Sequence, residues 1–246
     1  MSFRIASIIL FLGIVSQAFC QTNSKKEDYI DGTIAFTTYQ GSLAIHYTHL
    51  WKLGKAQKFS IGLGARLTSY LGNNQYYSTA PSKLTSNSSS PLIFFQNNIE
   101  KNIDTLIINT PHVTMLNISL NMHYQITKKI SAGFTIDATG FSVGTQQQAN
   151  YINGYSGKNT TASPTPFNLL LISDNDRGSL NSEIFVRYKV NNTWGIKGGF
   201  QFLFTEYTTT TKVQTFPEEN DRFRNKSSMI ALGVSYKLNV LKLMPH

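Results

Sequence analysis

The chain has 246 residues and a formal net charge of +9, yet only 14 % of its residues are charged, against 12 % aromatic and 41 % hydrophobic. That charged share lies well below the roughly 25 % of ordinary soluble domains. The basic residues are scattered, with no stripe or binding motif, which argues against a nucleic-acid partner.

The first twenty residues read as a signal peptide. Arg4 supplies the positive start, Ile5 to Val15 the apolar run, and Ala18-Phe19-Cys20 a small-x-small cleavage site. The run is too short to span a bilayer as a helix. Acylation of Cys20 is the alternative, although bulky Phe19 sits where such signals want a small residue. If Cys20 leaves with the signal, the exported chain has no cysteine and is held by its sheet alone. Residues 21–31 read as a polar periplasmic linker, 32–239 as the folded domain and 240–246 as a tail.

Beyond the linker the period is two, the signature of strands with one greasy and one polar face. Gly32 to Tyr39 is a short first strand. Ser42 to Trp51 points Leu43, Ile45, Tyr47, His49 and Trp51 one way and His46 the other. Phe59 to Leu71 alternates Phe59, Ile61, Leu63 and Leu67 with Ser60, Gly62, Gly64 and Arg66. Val113 to Ile126 sets Leu116, Ile118 and Tyr124 against Asn117, Ser119, Asn121 and His123. Ile130 to Val143 sets Phe134 and Ile136 against Thr135 and Asp137. Ser179 to Tyr207 reads as a hairpin about Asn191-Asn192, with Ile184, Tyr188, Trp194 and Phe200 on its apolar side. Glu183, Arg187, Lys197 and Gln201 lie on its polar side. Ser228 to Leu238, carrying Tyr236 outward, is the last strand.

The count is eight, with long connections at 72–112, 144–177 and 208–226 and a short one at Gln40. The turns near Gly54, Lys128 and Asn191 are short and fall at the same end as both termini. This pattern predicts an all-β fold, an eight-stranded antiparallel transmembrane β-barrel with short periplasmic turns and long extracellular loops. Apolar patches at Leu92 to Phe95 and Ile103 to Ile108 offer a further hairpin, hence ten strands as the alternative. Trp51, Phe59, Tyr124, Tyr188, Trp194 and Tyr236 all lie outward near the short-turn end, as a membrane-interface ring would. A secreted sandwich would alternate in the same way, but it accounts for neither the ring nor the loop asymmetry. Its outer faces would also carry Lys and Glu, where this chain has Gly, Ser and Asn.

A resemblance follows from these segments. A signal ending in Cys-Gln, GSLAIHYTHLWKLGKAQKFSIGLGARLTSYLG, SDNDRGSLNSEIFVRYKV and FLFTEYTTT resemble small outer-membrane β-barrel proteins of the Bacteroidota type. The resemblance covers most of the mature chain. It implies the fold and an outer-membrane location, but no shared activity and no catalytic residue.

A narrow barrel fills its interior with side chains. His46, Arg66, Asn117, Asn121, Asp137, Glu183, Arg187, Lys197 and Gln201 are the predicted polar lumen. Charges buried there need partners, so Glu183 and Asp137 should meet Arg66, Arg187 or Lys197 in a plug. No catalytic constellation, metal site or cofactor motif stands out. Asp174-Asn175-Asp176-Arg177-Gly178 resembles the start of a calcium loop but lacks the later bidentate Glu, and reads as a turn. Glu218, Glu219 and Asp221, alternating with Arg222, Arg224 and Lys226, read as a solvated hairpin extension whose cations could meet lipopolysaccharide phosphates.

The functional expectation is a monomeric, non-enzymatic envelope-structural or surface-interaction protein working through its loops. Its partners would be outer-membrane lipid, lipopolysaccharide and an unknown extracellular ligand or protein. The runner-up is a channel for a small solute or apolar molecule. Third is lipid A modification, for which His112 at a loop mouth would need a serine and an acid beside it.

Overall fold

The computed structural model describes residues 26–86, 98–153, 156–171 and 175–238. Among them thirteen strands, numbered here in chain order, form one antiparallel sheet. Eight are long: β1 (Lys26–Phe36), β2 (Gln40–Leu53), β3 (Phe59–Gly72), β6 (His112–Gln125), β7 (Ile130–Val143), β11 (Leu180–Lys189), β12 (Trp194–Thr209) and β13 (Arg222–Leu238). Five are short: β4 (Gln75–Thr79), β5 (Thr105–Ile108), β8 (Gln147–Asn153), β9 (Ser156–Pro164) and β10 (Phe167–Leu169).

The long strands pair in the order β1-β2-β3-β6-β7-β11-β12-β13, and β13 returns to β1 through pairs such as Leu232 with Ile34. This circuit has no free edge, so the backbone groups along it are paired within the sheet. Alternation sorts the side chains. Leu67, Ile118, Ile184, Phe200 and Ile230 point outward at 46–56 % exposure, whereas Arg66, Asn117, Glu183, Gln201 and Ala231 point inward at 2 % or less. One bulge, at Ala138 of β7, breaks the period: Ser119 pairs with Asp137, and Ile118 with Thr139. The extra residue lets Asp137 and Gly140 both face inward although they stand three positions apart.

The stretches 72–112 and 144–177, read from the sequence as loops, carry the five short strands, together with a short helix α1 (Ser82–Ser86). These strands build a second circuit. β12 extends beyond β11 to pair with β9 through Tyr207, Thr208 and Thr209. β9 then pairs with β8, β8 with β5, β5 with β4, and β4 returns to β13 at Phe223 and Arg224. Since Tyr207 still pairs with Phe223, the six strands β12-β9-β8-β5-β4-β13 close on themselves at the long-connection end. Their inner faces carry Tyr77, Leu106, Ile108, Ala149, Tyr151, Tyr207 and Phe223, which join Met115, Leu203 and Met229 of the long strands in one buried apolar cluster.

Two boundaries differ from the sequence reading. β1 starts at Lys26, inside the stretch 21–31 taken as a linker, because its acidic residues are matched across the sheet. Glu27 meets Lys237 at 2.6 Å and Lys52 at 3.0 Å. β13 starts at Arg222, so the third connection shrinks to 210–221. The signal peptide with Cys20, the tail 240–246, Leu92 to Phe95 and Asp174 lie outside the described residues.

Candidate functional site

The predicted polar residues converge in the inner circuit. Arg66, on β3, donates from Nε at 2.9 Å and from Nη2 at 2.5 Å to one oxygen of Asp137, and from Nη2 also to the carbonyl oxygen of Asn181. The other Asp137 oxygen accepts from Asn117 Nδ2 at 2.7 Å and from the Asn181 amide at 3.0 Å. On its far side Arg66 approaches Glu183 at 3.9 Å, and Glu183 takes Lys197 at 2.9 Å. Lys197 lies 3.5 Å from Asp31, and Asp31 accepts from Arg187 at 2.8 Å. The result is an alternating chain, Asp137–Arg66–Glu183–Lys197–Asp31–Arg187, with three carboxylates and three cations, every side chain at most 3 % exposed.

A neutral chain of this kind offsets the desolvation that each charge alone would suffer. Polar neighbours complete it. His46 Nε2 lies 2.7 Å from Ser119 Oγ, and Asn121 donates to the same hydroxyl at 3.2 Å. Gln201 donates to Ser42 at 2.7 Å. The room for His46 comes from Gly64, where a Cβ would fall 2.5 Å from Nε2 and 2.6 Å from Ser119 Oγ. Below the chain, toward the short turns, Arg187 stacks over Tyr29 at 4.3 Å and Lys197 over Phe185 at 4.7 Å, while His123 packs edge-on against Phe185. Above it comes the apolar cluster described above. Two unlike layers therefore fill the interior in series.

Glu183 and Asp137 thus meet Lys197 and Arg66, whereas Arg187 turns to Asp31. Sequence reasoning missed Asp31 because KKEDYIDG looks like a polar linker. The signal was the alternation Tyr29, Asp31, Thr33, Ala35, which continues into the strand. Asn168 was also missed. It donates to Asn117 at 2.8 Å and accepts from the Ser179 amide at 2.8 Å, tying β10 into the network.

The six aromatic residues all face outward. Phe59 pairs with Tyr124, and Trp194 stacks edge-on against Tyr236 with centroids 4.8 Å apart. Beside Trp51, His49 meets Asp28 at 2.6 Å, and Tyr47 donates to the same oxygen at 2.7 Å. At the other end His112 Nε2 lies 3.3 Å from Ser69 and 3.4 Å from Thr114. Among the described residues no carboxylate hydrogen-bonds to His112. In the turn read against a calcium loop, Asp176 Oδ1 accepts from the Leu171 amide at 2.6 Å, and Gly178 takes φ +75°. The Asp176 carboxylate is thus engaged with the turn's own backbone.

No protein-family model matches the chain, and no curated protein matches it. Remote likenesses exist among solved structures. Ail, the attachment invasion locus protein of Yersinia pestis, solved with the heparin analogue sucrose octasulfate, is 7 % identical over 87 % of this chain and 98 % of its own, with a TM-score of 0.34. A major outer membrane protein from Thermus thermophilus is 8 % identical over 87 % and 99 %, with a TM-score of 0.35. Neisserial surface protein A is 11 % identical over 87 % and 96 %, with a TM-score of 0.32. Likenesses this remote carry no functional inference.

Proposed function

We propose that the eight long strands cross a bacterial outer membrane and that the protein is a non-enzymatic envelope or surface-interaction protein, working through the capped end that would face outside. The membrane reading is supported by the outward belt. Large apolar residues such as Leu43, Leu67, Ile118, Ile184, Phe200 and Ile230 ring the inner circuit at 46–58 % exposure. A contiguous apolar surface of that extent is uncommon on soluble monomers, while lipid accommodates it at no cost. Outer-membrane lipid is accordingly the first partner, and the small Bacteroidota barrels that its segments resemble are the group to which it would belong.

One observation favours a surface role over a channel: the interior is filled twice, by the six-member charge chain and by the apolar cluster above it. A solute would have to break ion pairs and then cross a dry layer. The third reading, lipid modification at His112, lacks an acid hydrogen-bonded to that histidine among the described residues. Liposome swelling with the refolded chain tests the choice. Vesicles should swell in arabinose or glycine no faster than protein-free controls. Rapid, protein-dependent swelling would transfer the assignment to the channel reading.

A further inference from the structure

The charge of the chain is unevenly placed. Among the described residues the long-connection end carries eight cations and seven carboxylates. Two of its exposed lysines are matched there, Lys83 by Glu218 at 2.8 Å and Lys212 by Glu219 at 2.9 Å. The charge chain in the lumen balances three against three. The short-turn end has eight lysines and only two acids, Glu27 and Asp28. Both acids are engaged: Glu27 holds Lys52 and Lys237, while Asp28 pairs with His49 and accepts from Tyr47.

Five of those lysines are exposed and take no ion pair among the described residues: Lys26, Lys55, Lys58, Lys128 and Lys129. They are not spread round the rim. Lys26 opens β1, Lys55 and Lys58 lie in the β2–β3 turn, and Lys128 and Lys129 lie in the β6–β7 turn. These five strands are consecutive in the circuit, so the lysines occupy one sector. Elsewhere on the rim the β11–β12 turn consists of Val190, Asn191, Asn192 and Thr193, with no charge. On the outward face of the lysine sector stand Trp51, Phe59 and Tyr124. Lys26 pairs with Trp51, and Lys58 directly precedes Phe59, whose partner is Tyr124. A lysine placed just beyond an interface aromatic can reach past the ring to the plane of lipid phosphates. Trp194 stands three strands from Trp51, beside the uncharged turn.

We propose that this sector is a docking surface for anionic phospholipid, with headgroup phosphates against the five lysines and acyl chains against the aromatic residues beside them. Two features select this occupant. The surplus positive charge has no carboxylate left to meet it among the described residues. The sector is also continuous with the exposed apolar belt, which a soluble polyanion would leave unused. Each lysine near a membrane surface adds attraction for anionic lipid that a zwitterionic headgroup does not receive. The proposal rests on the membrane reading above and adds which lipid class gathers on which side of the barrel.

The chain has two tryptophans, Trp51 and Trp194, and they report on the two sectors separately. Trp194→Phe leaves Trp51 as the reporter, and Trp51→Phe leaves Trp194. The full refolded chain is reconstituted at low salt in mixed phosphatidylcholine and phosphatidylglycerol vesicles, with the acyl chains of one lipid or the other brominated so that contact quenches tryptophan fluorescence. Trp51 should prefer phosphatidylglycerol about fivefold, the attraction that one lysine supplies near an anionic surface. Trp194 should show no preference. Lys26→Gln, Lys55→Gln and Lys58→Gln combined should abolish the preference at Trp51, as should high salt, whereas Lys26→Arg, Lys55→Arg and Lys58→Arg combined should keep it. Quenching by both lipids without preference at Trp51, an equal preference at both tryptophans, or a preference that survives the three Gln substitutions would overturn the proposal and leave the membrane reading standing. No quenching by either brominated lipid would overturn the membrane reading itself, and the proposal with it.

Discussion

At the residue scale, six buried charges sustain one another, and Asp31 is the hinge of the set because it meets both Arg187 and Lys197. Asp31→Asn would keep the shape but take from Arg187 the carboxylate it pairs with and leave Lys197 with Glu183. Breaking a buried pair in this way costs about 3–5 kcal/mol, and the loss should appear as a lower urea midpoint in tryptophan fluorescence. Glu218→Gln, which loses only an exposed contact to Lys83, should change the midpoint by no more than about 0.5 kcal/mol. Equal effects from the two would contradict the importance given to the buried chain. The members of this set were legible in the sequence wherever alternation was clean, as at Arg66, Glu183 and Lys197. Their partnerships were not, since pairing across the lumen depends on strands far apart in the chain, and Asp31 was hidden by its linker-like neighbours.

At the element scale, the cap makes its own predictions. Tyr151 donates to Asp104 at 2.6 Å. Burial, reinforced by that carboxylate acceptor, pushes its phenol up to about 12. A raised phenol pKa favours the neutral form, so its contribution is complete below the ordinary value of about 10 and is lost as pH rises through about 12. Difference titration at the phenolate absorbance band, parent against Tyr151→Phe, should show one tyrosine ionising near 12. A missing component near 10 would show that the hydrogen bond is not formed. Leu106 is fully buried in the cap, and Leu106→Ala should cost about 2–5 kcal/mol. Limited proteolysis should then cut within β4 to β9 while the long strands survive intact. Cleavage spreading through the long strands would mean that the two circuits do not unfold separately. The long strands could be read from their period of two, and the turns at Gly54, Lys128 and Asn191 from their residues. The cap could not. QYYST and TLII are too short to show a period, and SGKNTTASP looks like a polar loop because its strand is exposed along half its length. These segments become strands only because β12 and β13 outrun their neighbours and offer free edges to pair with.

At the scale of the whole molecule, one chain builds two closed circuits on a shared ribbon. The lower carries an apolar exterior with a charged interior; the upper has an apolar interior and polar connections. Among the described residues the bore is filled by the charge chain and the apolar cluster, and the proposed function accordingly places the protein's work on its outside. Single-channel conductance of the refolded chain in planar bilayers tests that claim most directly, with Arg66→Ala and Glu183→Gln measured beside it. The expected result is an electrically silent parent, with any openings confined to the two lumen variants. Steady openings in the parent, altered in size by those substitutions, would contradict it and make the charge chain the lining of a path.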